Sequence, residues 1–254
     1  MNDFKNMKRI ISEKLEAWKN YPRRKPLLIR GTRQVGKTYS ILEFGKTFFE
    51  GKIHTINFEK NPEIHSVFDL NLDSRRILSE IELIAGEKIT PGADLLFFDE
   101  IQECPKAIMS LRYFHEEIPE LHLIAAGSLL EFALNNISFP VGRLQILNMF
   151  PLTFNEFLIA TGKELLAEKI NQPGSQFSES VINMINNEMY NYFIIGGMPE
   201  CVDTFINTGS FIDVINTQSD LIATFRQDFA KYAGHSDKRC LHSVLNSVAR
   251  KTGE

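Results

Sequence analysis

Gly31-Thr32-Arg33-Gln34-Val35-Gly36-Lys37-Thr38 brackets four variable residues between glycines and closes on Lys-Thr, the pattern of a phosphate-binding loop. The apolar run Pro26-Leu27-Leu28-Ile29-Arg30 before it reads as a buried strand. Tyr39-Ser40-Ile41-Leu42-Glu43-Phe44 after it has helical apolar spacing. Strand, glycine loop and helix form the context that gives the motif its meaning. Glycines let the backbone curl around an anion without a Cβ in the way. Amides at a helix N-terminus then point at it, with the helix dipole favouring negative charge. The residues from Gly31 to Tyr39 are therefore the candidate nucleotide cradle. Lys37 is expected to reach the β- and γ-phosphates, and the Thr38 hydroxyl to ligate Mg²⁺.

A second stretch completes the pattern. Leu95-Leu96-Phe97-Phe98 is a run of four large apolar residues that ends in Asp99-Glu100. Such a run suits a parallel strand buried on both faces, and in open α/β sheets the chemistry gathers at carboxyl ends of strands. Asp99 is the candidate holder of the metal. Glu100 is the candidate that accepts a proton from, or orients, the attacking water.

The 254 residues, 43% hydrophobic and 24% charged with a net charge of −4, describe an ordinary globular chain without a global basic field for nucleic acid. Cys104, Cys201 and Cys240 form no CxxC pair and no disulfide framework, which points to a reducing cytoplasmic setting. No apolar run approaches the ~18 residues that span a bilayer. The six histidines show no metal-ligand spacing with cysteines.

Phe4, Met7, Ile11, Leu15 and Trp18 make one apolar stripe of an N-terminal amphipathic helix, whose basic residues, Arg9 among them, read as a solvated edge or, alternatively, as a contact to nucleic acid or a nucleotide base. Lys52–Phe58 reads as a second strand. Residues 63–86 and 101–118 read as helices, with Glu103 in a first turn. Leu121–Ala126 is a fourth strand ending at Gly127-Ser128. Ser128 is either a sensor of the γ-phosphate or the cap of a helix starting at Leu129-Leu130-Glu131. Arg143 precedes a fifth strand over 144–149 and is either an arginine that meets a nucleotide phosphate across an interface or a surface ion-pair residue. After Pro151 a capped helix begins at Thr153. Helices are expected over 179–195, 200–207 and 211–232, with no convincing strand, so a helical lid beside an α/β core is the natural architecture. A last amphipathic helix over 241–251 ends almost where the chain does, and the chain is expected to be a piece of a longer protein.

The ordered motifs resemble those of bacterial and archaeal AAA-type ATPases that carry a C-terminal winged helix and a restriction-endonuclease-like domain. The matching stretches are Lys25–Thr38, Asp99–Pro105, Ala126–Glu131, Phe139–Arg143, Phe150–Leu158 and Gly196–Glu200. The resemblance implies a P-loop NTPase core with a parallel sheet of order 5-1-4-3-2 and an α-helical lid. It implies Ser128 as the first sensor, Arg143 as a nucleotide-contact residue, and a winged helix beginning near Leu241. The endonuclease-like domain has no counterpart here, so nuclease activity is not implied. The expected divisions are an N-terminal helix and basic connector (1–25), the ATPase core (26–158), the lid (159–234) and the start of a truncated winged-helix-like region (235–254).

The expected function is Mg²⁺-dependent ATP binding and hydrolysis, with Lys37, Glu100, Ser128 and Arg143 as catalytic candidates and Thr38 and Asp99 at the metal. No guanine-selective Asn/Thr-Lys-x-Asp motif is apparent, which favours ATP. The alternative is a nucleotide-gated module that binds DNA or protein with little turnover. A homo-oligomer and a DNA or protein partner are the expected assemblies, with no membrane involvement.

Overall fold

The computed structural model describes residues 7–128, 142–232, 243–244 and 247–248. Phe4, the 129–131 cap, Phe139-Pro140-Val141, Cys240 and the proposed winged-helix start at Leu241 lie outside them. Two compact units divide the chain, residues 1–162 and 163–254.

The first unit is built on five strands, β1 (Leu27–Arg30), β2 (Ile53–Asn57), β3 (Leu95–Asp99), β4 (His122–Gly127) and β5 (Gln145–Asn148). They form one sheet in the order β2-β3-β4-β1-β5, with every pairing parallel. Read from the other edge, this is the expected 5-1-4-3-2.

The helices are α1 (Ile11–Asn20), α2 (Lys37–Phe48), α3 (Ser74–Ala85), α4 (Pro105–Glu117) and α5 (Phe154–Ala160). Alternation along the strands explains why both faces need cover. Leu28, Leu96, Phe98, Leu123 and Ala125 face a core shared with α3 and α4. Leu27, Ile29, Leu95, Phe97, Ile124 and Ala126 face a second core shared with α1 and α2. The unbroken apolar run at 95–98 is thus two alternating half-patterns laid over each other. Each fully buried phenylalanine or leucine contributes roughly 1.5–3 kcal/mol relative to exposure.

Two expected helices turn out segmented. Residues 63–86 split into a 3₁₀ turn, Pro62–Phe68, and α3. Asp73 starts α3 by accepting from the Arg76 amide at 2.7 Å. The Arg76 guanidinium bridges the gap, donating to the carbonyls of Val67 and Asn71, each at 2.7 Å. Apolar periodicity runs through the break, because both pieces pack on the same core. Likewise Ile101–Glu103 is a separate 3₁₀ turn and α4 begins at Pro105, so Glu103 lies before the helix proper. At α5 the expected cap is present as a full capping box: Thr153 Oγ1 accepts from the Glu156 amide, and Glu156 accepts from the Thr153 amide.

The second unit is helical among its described residues: α6 (Glu164–Ile170), α7 (Glu179–Ile195), α8 (Pro199–Thr208) and α9 (Phe211–Tyr232). Gln218 on α9 donates to the carbonyls of Ile194 and Ile195 at 2.8 and 3.0 Å, satisfying carbonyls left open at the end of α7. The short helix α6 has no strong sequence signal, since only one of its residues, Ala167, is buried.

Candidate active site at the carboxyl ends of the strands

Parallel pairing brings all strand ends to one edge of the sheet. Arg30 is opposite Gly127, and Asn57 is opposite Asp99. The loop from Gly31 to Gly36 leaves β1 at this edge and enters α2. Its path requires glycine at the start: a Cβ on Gly31 would sit 2.4 Å from the Met149 carbonyl oxygen. At its end Gly36 holds φ 93°, left-handed backbone that an L side chain resists. Gln34 also has positive φ, at 61°. Val35 anchors the loop with a fully buried side chain.

Lys37 and Thr38 open α2. The Lys37 ammonium folds back over the loop, donating to the carbonyls of Gly31 at 2.9 Å and Thr32 at 2.8 Å. Burial lowers its proton affinity; Glu100 and Asp99 oppose that, and Arg33 adds to it. Thr38 Oγ1 donates toward Asp99, 3.1 Å from Oδ1 and 3.2 Å from Oδ2. Loop and second stretch therefore share one site.

Asp99 is buried, and its carboxyl is pushed above the ordinary range by burial and then by neighbouring Glu100; bonds from Thr38, Asn57 and the Glu100 amide oppose this. Glu100 itself turns on left-handed backbone, φ 49°. Its carboxylate Oε2 accepts from Gln102 Nε2 at 2.7 Å.

This donor set suits a small hard cation. It offers a hydroxyl and a carboxylate in contact, with a second carboxylate adjacent, and all donors are oxygen. A divalent ion would stabilise the ionised Asp99 carboxylate against burial and the neighbouring Glu100, which together raise it. Among the described residues, no group of three His, Cys, Asp or Glu side chains is arranged to hold a metal.

Residues 23–158, more than half of the chain, match a family model described as an AAA domain. The chain belongs to the AAA domain family. A second model, a domain of unknown function, matches residues 186–254. No curated protein matches the chain. The AAA family is one of nucleotide-binding P-loop domains, in keeping with a cradle at the end of β1.

Within this AAA domain, Ser128 is fully buried directly after β4. Arg33 Nε donates to its hydroxyl at 3.4 Å. Tyr39 is half-buried in the first turn of α2. Arg143 lies two residues before β5, at the amino end of the strands, where its exposed side chain meets Glu116 at 3.3 Å. The loop is at the carboxyl end, so Arg143 is not gathered with Lys37, Asp99 and Glu100 in the same chain.

Three residues at or beside the site had no sequence signal for it. Asn57, last in β2, donates from Nδ2 to Asp99 Oδ2 at 3.1 Å. Gln102 holds Glu100. Arg9, expected on a solvated edge, is instead only 7% exposed. It donates to Glu156 at 2.9 Å, to the Val35 carbonyl at 3.0 Å and to the Phe150 carbonyl at 2.7 Å. The Arg9 guanidinium therefore ties the phosphate loop to the strand end after β5 and to the cap of α5.

Among the described residues no helix is long and apolar enough to cross a membrane.

Proposed function

We propose that this AAA domain binds ATP with Mg²⁺ and hydrolyses it. The reading rests on the Thr38–Asp99 contact, which joins the phosphate loop to the acidic strand end in a single site. Lys37 releases the Gly31 and Thr32 carbonyls and turns to the β- and γ-phosphates. The loop amides from Gly31 through Tyr39 cradle the phosphate chain. Thr38 and Asp99 would hold the Mg²⁺, which would supply neutralisation of the phosphate charge. Asn57 fixes the Asp99 carboxylate from the neighbouring strand.

Glu100 orients the attacking water and takes its proton. The water oxygen bonds to the γ-phosphorus, the bond from phosphorus to the bridging oxygen breaks, and that electron pair leaves with ADP. Ser128, at the end of β4 between the two halves of the site, contacts the γ-phosphate. Arg143, paired with Glu116 at the amino end of the strands, takes no part in this site within its own chain; in a homo-oligomer it would be free to meet a neighbour's nucleotide.

The test is ATP binding and turnover by the unaltered chain and by Glu100→Gln. Retained binding with turnover reduced by two to three orders of magnitude is expected, in line with loss of a general base. Unchanged turnover would refute the role of Glu100.

A further inference from the structure

We infer that Arg33 distinguishes a nucleoside triphosphate from a diphosphate, acting from within the phosphate loop of its own chain on the terminal phosphate. The inference rests on the ATPase reading above and adds to it a residue whose side chain, not only its backbone, belongs to the site.

The placement follows from topology. β4 lies between β3, which ends in Asp99, and β1, which feeds the loop. Its end is therefore the floor between the metal-holding carboxylate and the phosphate cradle, where the terminal phosphate of a bound triphosphate would lie. Arg30 and Gly127 are directly paired, so the next residues, Gly31 and Ser128, diverge from one point on the sheet edge. Arg33 follows Gly31 by two positions and reaches back across that gap. Its Nε is 3.4 Å from the buried Ser128 hydroxyl.

The same loop carries Lys37, whose ammonium rests on the Gly31 and Thr32 carbonyls at 2.9 and 2.8 Å. Two cations thus belong to this one loop, and Thr38 beside them meets Asp99. A multiply charged anion held by the loop would meet both of these cations. A guanidinium is suited to that task, since it stays charged and presents a planar fork of donors to phosphate oxygens. A diphosphate would end short of the fork, whereas a triphosphate would reach it. The long contact to Ser128 is weaker than a charge-assisted contact to phosphate would be.

The test is equilibrium binding of Mg²⁺-ADP and of a Mg²⁺-bound β,γ-imido ATP analogue to the whole chain, unaltered and as Arg33→Ala, Arg33→Lys and Lys37→Ala. Arg33→Ala is expected to weaken the triphosphate analogue about tenfold or more, as loss of a charge-assisted phosphate contact does. It should leave ADP affinity within about twofold of the unaltered chain, since the diphosphate makes no such contact. Arg33→Lys is expected to recover part of the discrimination, and Lys37→Ala to weaken both nucleotides.

Equal weakening of both nucleotides by Arg33→Ala would overturn the assignment, because it would reduce Arg33 to a support of loop shape. So would no change with either nucleotide. In both cases a lost affinity in Lys37→Ala would leave the phosphate-loop reading standing. Failure of the unaltered chain to bind either nucleotide would overturn both.

Discussion

Thr38 and Asp99, 61 residues apart in the chain, meet with the threonine hydroxyl 3.1 and 3.2 Å from the two carboxylate oxygens. The contact has a cost. Asp99 is held in a buried position beside Glu100, and its carboxyl is pushed upward as a result. With an acid raised in the folded state, stability is lost as pH rises through the folded value, so at neutral pH the ionised Asp99 weakens the empty protein. Asp99→Asn is therefore expected to melt at the same or a higher temperature without nucleotide. It should also lose the Mg²⁺ dependence of nucleotide binding. Thermal melts and titrations with and without Mg²⁺ check both; a melt several degrees lower would contradict the account.

Gln102 is the second point of leverage. Its amide nitrogen is 2.7 Å from Glu100 Oε2 and 3.4 Å from Glu103 Oε1. Reversing the amide would set its oxygen against two carboxylates, which fixes the assignment. Its own Oε1 is buried without a hydrogen-bond partner among the described residues. A side chain that accepts this cost in order to hold Glu100 is a positioning residue. Gln102→Ala should lower kcat several-fold with little change in KM for ATP. Gln102→Glu should move the acidic limb of the pH–rate profile upward, because added negative charge favours protonation of Glu100. An unmoved profile would show that Gln102 serves packing alone.

Gly31 has no room for a side chain. Gly31→Ala would drive a methyl to 2.4 Å from the Met149 carbonyl and 3.1 Å from Val35 Cγ1. The backbone must shift at the junction of β1 and β5, at roughly 1–3 kcal/mol. Chemical denaturation should register that loss, and nucleotide affinity should fall with it.

The buried Arg9–Glu156 pair gives a graded prediction. Removing Arg9 alone, as in Arg9→Met, leaves a buried carboxylate without its cation and should cost about 3–5 kcal/mol. Burial pushes Glu156 up, but the amides of Thr153 and Ile10 and then Arg9 outweigh it, so its carboxyl lies below the usual range. Its stabilisation is full above the ordinary value of 4.5 and is lost as pH falls through the lowered one. Urea midpoints measured across this acid range should fall more steeply for the unaltered chain than for Glu156→Gln.

His122 governs a separate window. Its ring is buried edge-on to Phe49 at 4.9 Å and Trp18 at 6.1 Å. Burial, reinforced by Arg24 and Lys19, pushes its pKa from 6.5 down to about 4. Between those values the unfolded chain takes up a proton that the folded chain refuses, so stability falls as pH drops from 6.5 and levels off near 4. His122→Phe should flatten stability across this interval in denaturation midpoints taken at several pH values.

Legibility in the sequence followed the type of physical signal. The strands of the sheet were readable because Leu27–Arg30 and Leu95–Asp99 are short apolar runs that end in the chemistry they serve, whereas the strand order came only from the family resemblance. Thr153 and Glu156 announced the capping box, which is a purely local rule. The break between Phe68 and Ser74 was hidden because Val67, Phe68, Ile77 and Ile81 all face one core and keep the apolar rhythm across it. Asn57, Gln102 and Arg9 were hidden for a different reason. Their roles come from pairings such as Asn57 with Asp99 across adjacent strands, and Arg9 with Glu156, 147 residues away. An isolated Asn at a strand end or an Arg near an N-terminus carries no such information by itself.

The central claim is that Lys37 and its loop grip the phosphates of a nucleotide whose metal rests on Thr38 and Asp99. Calorimetric titration of ATP into the unaltered chain and into Lys37→Ala, each with and without Mg²⁺, tests it most directly. The account predicts saturable binding that Mg²⁺ strengthens, reduced about a hundredfold or more in Lys37→Ala, the scale expected for loss of a buried charge-assisted contact. Equal affinity in the two proteins, indifferent to Mg²⁺, would contradict it.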